Sequence, residues 1–372
     1  MLLSILLALD LESYLKAVER HPAVEGSRHD YEAQRYRGTA SVFPPSPILT
    51  FNAMYMPGAV ALSQPLPPSW PLLGMAERDK AEAQRYSYEA FKNSFLLSAI
   101  DTYLRVLYLN RELEVIDSML NNLQRMEVSS QALYRAGKVP LSHLQRVRAR
   151  IRILEARRET VEAEREGWLS RLEYFYGGDV DSLKDVPDSF RLPPYDSLLV
   201  ALDSSPSVRA SRKMVEAASK RKVAALLSAV PVVSPGVLYM DGNLSFSVSV
   251  GIPLWLPSYL SRVKEEERRY EGAFMRRRNV EEGLRSTLMK EYKDYVASLE
   301  RFRILMETKK DLQEALRSEE SRYRTSPAVL TDYLMVLNQL LEVELEEYRA
   351  KLSIVRGYYA VMYLLGFNLG SR

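Results

Sequence analysis

Residues 243–253 read NLSFSVSVGIP, from Asn243 to Pro253. Leu244, Phe246, Val248, Val250 and Ile252 alternate with Ser245, Ser247, Ser249 and Gly251. Strict period-two alternation makes a β-strand with one apolar face. Its other face is small and polar rather than charged. About nine residues suffice to cross a bilayer as a tilted barrel strand. The same pattern also suits the edge strand of a soluble sandwich. The surrounding chain, which reads almost entirely as long helix, has to decide between them.

Lys and Arg number 51 against 48 Asp and Glu in 372 residues, a near balance that argues against nucleic-acid binding through a basic surface. There is no cysteine, so no disulfide framework, thiolate metal site or acylated N-terminal Cys is expected. His21, His29 and His143 are too scattered for a metal or catalytic cluster. No nucleophile–base pair and no phosphate-binding loop is visible. The expectation is no cofactor and no enzymatic activity. No run of about 20 apolar residues exists to form a membrane-spanning helix. Met1–Leu9, MLLSILLAL, reads either as the core of a secretory signal peptide or as the hydrophobic first turn of the next helix.

Working outward, Leu11–Ser41 reads as one helix with Asp10 as N-cap. Ile48–Tyr55 and Ala59–Leu66 read as two strands joined at Met56-Pro57-Gly58. From about Leu72 to Leu133 the chain has no proline, and Leu109, Leu113, Ile116, Leu120 and Leu123 form a heptad seam. Roughly sixty residues at about 1.5 Å each make a rod on the order of 90 Å long. A break at 134–140 precedes a return helix, Leu141–Tyr176, whose stripe includes Arg158 and Arg165; part of it should meet water or carboxylates. Residues 178–194 read as a linker. The pattern then recurs: helix Tyr195–Leu227, short strand Val237–Met240, an Asp241-Gly242 turn, the strand first quoted, a rod Tyr259–Arg322, a tip at 323–329 and a return helix Leu330–Leu365.

The halves align residue by residue. Pro22 meets Pro206 at an offset of 184; Arg28, Glu32, Ala33 and Arg37 meet Arg212, Glu216, Ala217 and Arg221 at the same offset. Pro65 meets Pro253 at 188, and Tyr134-Arg135 meets Tyr323-Arg324 at 189. One unit (helix, hairpin, rod, tip, return helix) therefore occurs twice. The first covers 9–177 with its hairpin at about 48–66; the second covers 195–366 with its hairpin at about 237–254; residues 1–8 stand apart as the signal-peptide candidate. The later hairpin should be the longer. Four strands cannot close a barrel, and lipid tolerates only closed ones. If the strands lie in a membrane, several chains share one barrel. Tyr55, Trp70, Tyr239, Trp255 and Tyr259, near strand ends, suit either membrane interfaces or junction packing.

These pieces resemble the TolC-like outer membrane efflux proteins. The matching motifs are Leu11–Pro22 (LESYLKAVERHP), the strand exits Gln64-Pro65-Leu66 and Ile252-Pro253-Leu254, the tips Tyr134–Gly137 and Tyr323–Ser326, and Tyr363-Leu364-Leu365-Gly366. The likeness runs from about Leu9 to Gly366. It implies a mainly helical chain with a small β part, assembled as a homotrimer with a shared twelve-stranded transmembrane barrel and a periplasmic helical tunnel. It implies an outer-membrane exit duct for efflux or type I secretion, working with a periplasmic adaptor (membrane fusion) protein and an inner-membrane pump. The alternative is a soluble or peripheral coiled-coil scaffold. On the duct reading, Leu244, Phe246, Val248, Val250 and Ile252 face outer-membrane lipid. Arg135, Gly137, Lys138, Leu141, Arg324 and Leu330 lie at the tips where an adaptor docks, although Gly137 and Pro140 are also explained by turn chemistry. Asp332 matches an acidic gate position, or is a helix-start carboxylate favoured by the helix dipole. Met335 and His143 stand where further acidic residues would be, so any carboxylate ring is single.

Overall fold

The computed structural model describes residues 8–52, 59–187, 190–240, 242–252, 256–325 and 330–367. Most of Met1–Leu9, the Met56–Gly58 turn, Asp241 and the centre of the 323–329 tip lie outside them.

The N-terminal helix is two helices, not one. α1 (Leu11–Val18) is capped by Asp10, whose Oδ1 accepts from Ser13 N at 2.8 Å. Pro22 lacks the N–H that would continue it and pushes His21 into an extended conformation. α2 (Pro22–Ala40) then restarts with proline at its first turn and His21 Nδ1 accepting from Ala23 N at 3.2 Å. The second half repeats the break: Pro206 divides the expected helix 195–227 into α5 (Tyr195–Leu202) and α6 (Pro206–Leu227).

Four helices are long. α3 (Trp70–Arg135) and α7 (Leu256–Thr325) have 66 and 70 residues, on the order of 100 Å at about 1.5 Å per residue. α4 (Leu141–Tyr176) and α8 (Leu330–Leu364) return along their lower halves. Leu109, Ile116, Leu120 and Leu123 of α3 are buried against Val147, Ile151, Leu154 and Val161 of α4 and Leu345, Leu352 and Val355 of α8. Arg158 does find carboxylates, Asp117 at 2.9 Å and Glu162 at 2.8 Å, whereas Arg165 donates to the amide oxygen of Asn110.

The packing gives two stacked tiers. The lower runs α4, α3, α8, α7, and the upper α2, α3, α6, α7. α8 stops where α6 starts: a Cβ on Gly366 would lie 2.4 Å from Pro206 Cδ, and Gly366 has φ +80°, so the join suits glycine twice over. In the upper tier Lys220 pairs with Asp79, Arg221 with Glu77, and Lys213 with Glu82 at 3.0 Å. Residues 178–187 form a strap against the lower tier, where Asp185 accepts from Tyr348 Oη at 3.0 Å and Lys351 Nζ at 3.1 Å. Leu9 N donates to Ser182 O at 3.0 Å and Lys184 N to Leu9 O at 2.9 Å. The buried Tyr103 hydroxyl donates to the Leu9 and Lys184 carbonyls.

β1 (Ile48–Asn52), β2 (Ala59–Ser63), β3 (Val232–Met240) and β4 (Asn243–Gly251) form one antiparallel sheet in that order. β3 is nine residues, longer than the four-residue strand read at Val237–Met240, and it runs through Pro235. Pro235 O accepts from Gln64 N, so its polar edge faces β2, and β2 ends at Ser63 opposite Gly236. The missing N–H faces Gln64 and costs one bond there, pairing resumes where Leu66 N donates to Val233 O at 2.9 Å, and no bond to β4 is lost.

Candidate functional site at the sheet and the helix tips

Residues paired across an antiparallel ladder share a face. The register therefore sorts the whole sheet. Leu49, Leu62, Val237 and Phe246 form one row; Val60, Tyr239 and Leu244 the next; Pro235 with Val248 and Val233 with Val250 continue it. The opposite face carries Thr50, Ala61, Ser63, Ser234, Gly236, Ser245, Ser247 and Ser249, with Ile48, Val232, Leu238 and Met240 among them. Gly236 is required there: a Cβ would sit 2.8 Å from Leu62 O and 3.2 Å from Ser247 Oγ.

An antiparallel sheet of a soluble protein usually lays its apolar face on a core. Here that face is bare. Phe246 is 94% exposed, Leu244 74% and Val248 71%, with Val250 and Ile252 also exposed. The strands make their extensive contacts with one another, and the described residues hold no second sheet to cover them. β1 and β4 each have one partner, so both outer edges offer unpaired backbone groups. No described helix is long and apolar enough to cross a membrane. Of the aromatic residues near the strands, Trp70 Nε1 donates to Phe43 O at 2.8 Å and Tyr259 Oη to Leu226 O at 3.2 Å, so these two tie junctions together. Tyr239 is half exposed on the apolar face beside Leu244. Tyr55 and Trp255 lie outside the described residues.

At the far end, α3 closes with a Schellman turn. Lys138 N donates to Leu133 O at 2.9 Å and Gly137 N to Tyr134 O at 2.9 Å, with Gly137 at φ +70°. Pro140 then caps α4. Turn geometry accounts for Gly137 and Pro140. It does not account for Arg135, Lys138 and Leu141, which are exposed together around the turn, Leu141 at 45%. Arg324 lies in the last turn of α7 and Leu330 begins α8; residues 326–329 between them lie outside the described residues. Asp332 is exposed in the first turn of α8.

One charged group was not anticipated. Arg356 of α8 reaches Glu291 of α7 (Nη1 to Oε2, 2.6 Å) and Asp101 of α3 (Nε to Oδ1, 3.2 Å, out of line for a hydrogen bond). Burial pushes the Asp101 carboxyl above its ordinary range, Arg356 opposes this, and the nearby Glu291 charge adds to it. The three residues are too far apart in sequence for spacing to reveal them.

No protein-family model matches the chain, and no curated protein matches it in sequence. Solved structures do match. The chain resembles CusC, described for its transmembrane channel formation, at TM-score 0.79 and 13% identity over 96% of this chain and 92% of that one. The outer-membrane channel OprN matches at 0.78 and 17% identity over 97% and 90%. The open state of the Neisseria gonorrhoeae MtrE outer membrane channel matches at 0.76 and 15% identity over 96% and 88%. The fold is that of the TolC-like outer-membrane channels.

Proposed function

We propose that this chain is one of three identical subunits of an outer-membrane exit duct, a passive conduit for efflux or type I secretion. The observation that carries the reading is the amphipathic sheet with a bare apolar face and two open edges. In water it exposes large apolar side chains and unpaired backbone; in a bilayer the same face meets hydrocarbon, and pairing between copies removes the edges. Three copies of four strands give a twelve-stranded barrel, with the serine face lining its lumen. The long helices continue the conduit into the periplasm, and their tips, at Arg135, Lys138, Leu141, Arg324 and Leu330, meet a periplasmic adaptor linked to an inner-membrane pump. Three Asp332 carboxylates around the axis form a cation-favouring constriction. The resemblance to outer-membrane channels supports this reading.

The test is to extract the protein from membranes in mild detergent without heating, count its subunits, and reconstitute it in a planar bilayer. A trimer from the outer-membrane fraction that conducts is the expected result. A soluble monomer without conductance would return the chain to a coiled-coil scaffold.

A further inference from the structure

The helical layer has two faces, and the strap marks one of them. Tyr103 of α3 holds the Leu9 and Lys184 carbonyls and packs against Tyr14 of α1, ring centroids 5.5 Å apart. Lys351 of α8 reaches Asp185 of the strap at 3.1 Å. Residues two apart on a helix point to roughly opposite sides. Asp101 and Arg105 of α3, and Arg349 and Ser353 of α8, therefore lie on the other face, where they line a cavity of about 290 Å³ with Tyr108 and Trp168. Lys80, Ser87, Ser94, Asp101 and Tyr108 recur every seven residues along α3, so this face continues into the upper tier.

There a larger groove of about 530 Å³ opens between α3, α6 and α7. Its floor is small and apolar, with Ala210, Met214 and Ala217 of α6 and Ala273 of α7. Five cations and one carboxylate also line it. Arg221 pairs with Glu77, Arg269 with Glu266 at 2.6 Å, and Arg277 with Glu281 at 2.9 Å. Lys80, half-buried, and Arg276, exposed, enter no ion pair among the described residues. Glu266 keeps its Oε2 buried with no hydrogen-bond donor reaching it. In the lower cavity, by contrast, Arg105, Arg349 and Arg356 each meet a carboxylate. Of the two cavities, only the upper groove has unmatched positive charge.

We propose that this groove is a binding site, in the inner wall of the conduit, for organic anions: a carboxylate or sulfonate on a compact apolar body that also carries a hydrogen-bond donor. The inference rests on the duct reading and names the class of ligand that its wall takes. Lys80 and Arg276 receive the anionic group, and charge-assisted contacts of this kind are the strong ones. The alanine floor receives the apolar body, in a volume ordinary for a small-molecule site. Glu266 Oε2 accepts from the donor, while Arg269 on the other oxygen offsets the carboxylate charge. The groove faces the bore because the strap face cannot. Four helices per tier in three copies make a ring of twelve, and at about 10 Å between axes this leaves a bore of roughly 30 Å. α1 and the strap add a layer about 10 Å thick, and three such layers turned inward would close the passage.

The test has two arms, both on the full chain in its assembled form. In equilibrium dialysis against an uncharged detergent blank, a hydroxynaphthalene sulfonate should bind saturably, one per chain. Uncharged naphthol should bind at least tenfold more weakly, and naphthalene sulfonate without the hydroxyl a fewfold more weakly. Lys80→Gln with Arg276→Gln should raise the Kd about tenfold or more. Neither residue holds an ion pair, so the single variants carry the test if the double variant does not assemble. Arg85→Gln, exposed two residues from Ser87 and turned to the other face, should leave the Kd unchanged. The second arm uses the absence of native cysteine. Ser87→Cys, in the groove, should react with a water-soluble methanethiosulfonate cation and give a step in single-channel current, and the sulfonate should slow that reaction. No saturable binding, or a Kd that both charge variants leave unchanged, would overturn the inference. So would a conducting channel whose modified Ser87→Cys gives no current step; in each of these cases the duct stands. A chain that does not conduct would overturn both.

Discussion

Replacing Val248 by Arg tests the lipid face most sharply. Val248 is near the middle of β4, one residue past its centre at Ser247. Nine residues at about 3.3 Å span roughly 30 Å, and a tilt of about 40° reduces that to about 23 Å of height, close to the roughly 25 Å apolar band of such barrels. Val248 then sits within a few ångströms of the bilayer midplane, where an arginine costs about 2–4 kcal/mol. That is about 30- to 700-fold in the insertion equilibrium for each copy. In water the change would be nearly free, since Val248 is 71% exposed and touches little. Ser247→Arg is the matched control one residue away on the opposite face. The assay is urea-dependent folding into lipid vesicles, followed by the mobility of unheated protein. Val248→Arg should lower the folding equilibrium constant by that factor, and Ser247→Arg should fold while altering conductance. Equal tolerance at the two positions would refute the orientation of the sheet.

Four further outcomes follow from the same geometry. Arg135→Glu with Leu141→Glu should weaken capture of a periplasmic adaptor without changing the oligomer, because both side chains are exposed and neither holds the Schellman turn; an unchanged pull-down would place docking elsewhere. Asp332→Asn should reduce cation preference and block by multivalent cations in single-channel recording, and unchanged selectivity would leave Asp332 a helix-start carboxylate. At the α3–α7–α8 junction, Arg356→Met should cost on the order of 2 kcal/mol in chemical denaturation, less than the loss of a fully buried pair because Arg356 is partly exposed. The Asp101 carboxyl is raised in the fold, so its contribution is fully present below its unfolded pKa and is lost as pH rises through the folded value. Asp101→Asn should flatten the pH dependence of stability just above the ordinary carboxylate range; an unaltered profile would contradict this.

The parts of the fold that could be read from sequence are those set by short-range pattern. Alternation marked β4, and heptads marked the seam of α3. Prolines were misread in both directions. Pro22 and Pro206 divide helices that periodicity alone runs together, because a missing N–H does not disturb the apolar spacing. The strand read from Val237 in fact begins before Pro235, whose missing N–H faces away from β4 and costs a single bond opposite Gln64. The strap joining Leu9 to Ser182 and Lys184 is made of backbone bonds, which leave no side-chain signature. Among the candidate site residues, exposure at Arg135, Lys138 and Leu141 follows from their place at a turn. The Asp101–Arg356–Glu291 group depends on three helices meeting, and no local spacing encodes that.

The most direct test of the central claim is the depth of the sheet in lipid. A fluorophore placed on Phe246→Cys, and separately on Ser247→Cys, is measured in reconstituted vesicles against quenchers attached to the lipid tails and against an aqueous quencher. The label at residue 246 should be quenched from the hydrocarbon and shielded from water, and the label at 247 should show the reverse. Aqueous quenching at both positions, with none from the lipid tails, would show that the sheet does not lie in the membrane and would contradict the duct.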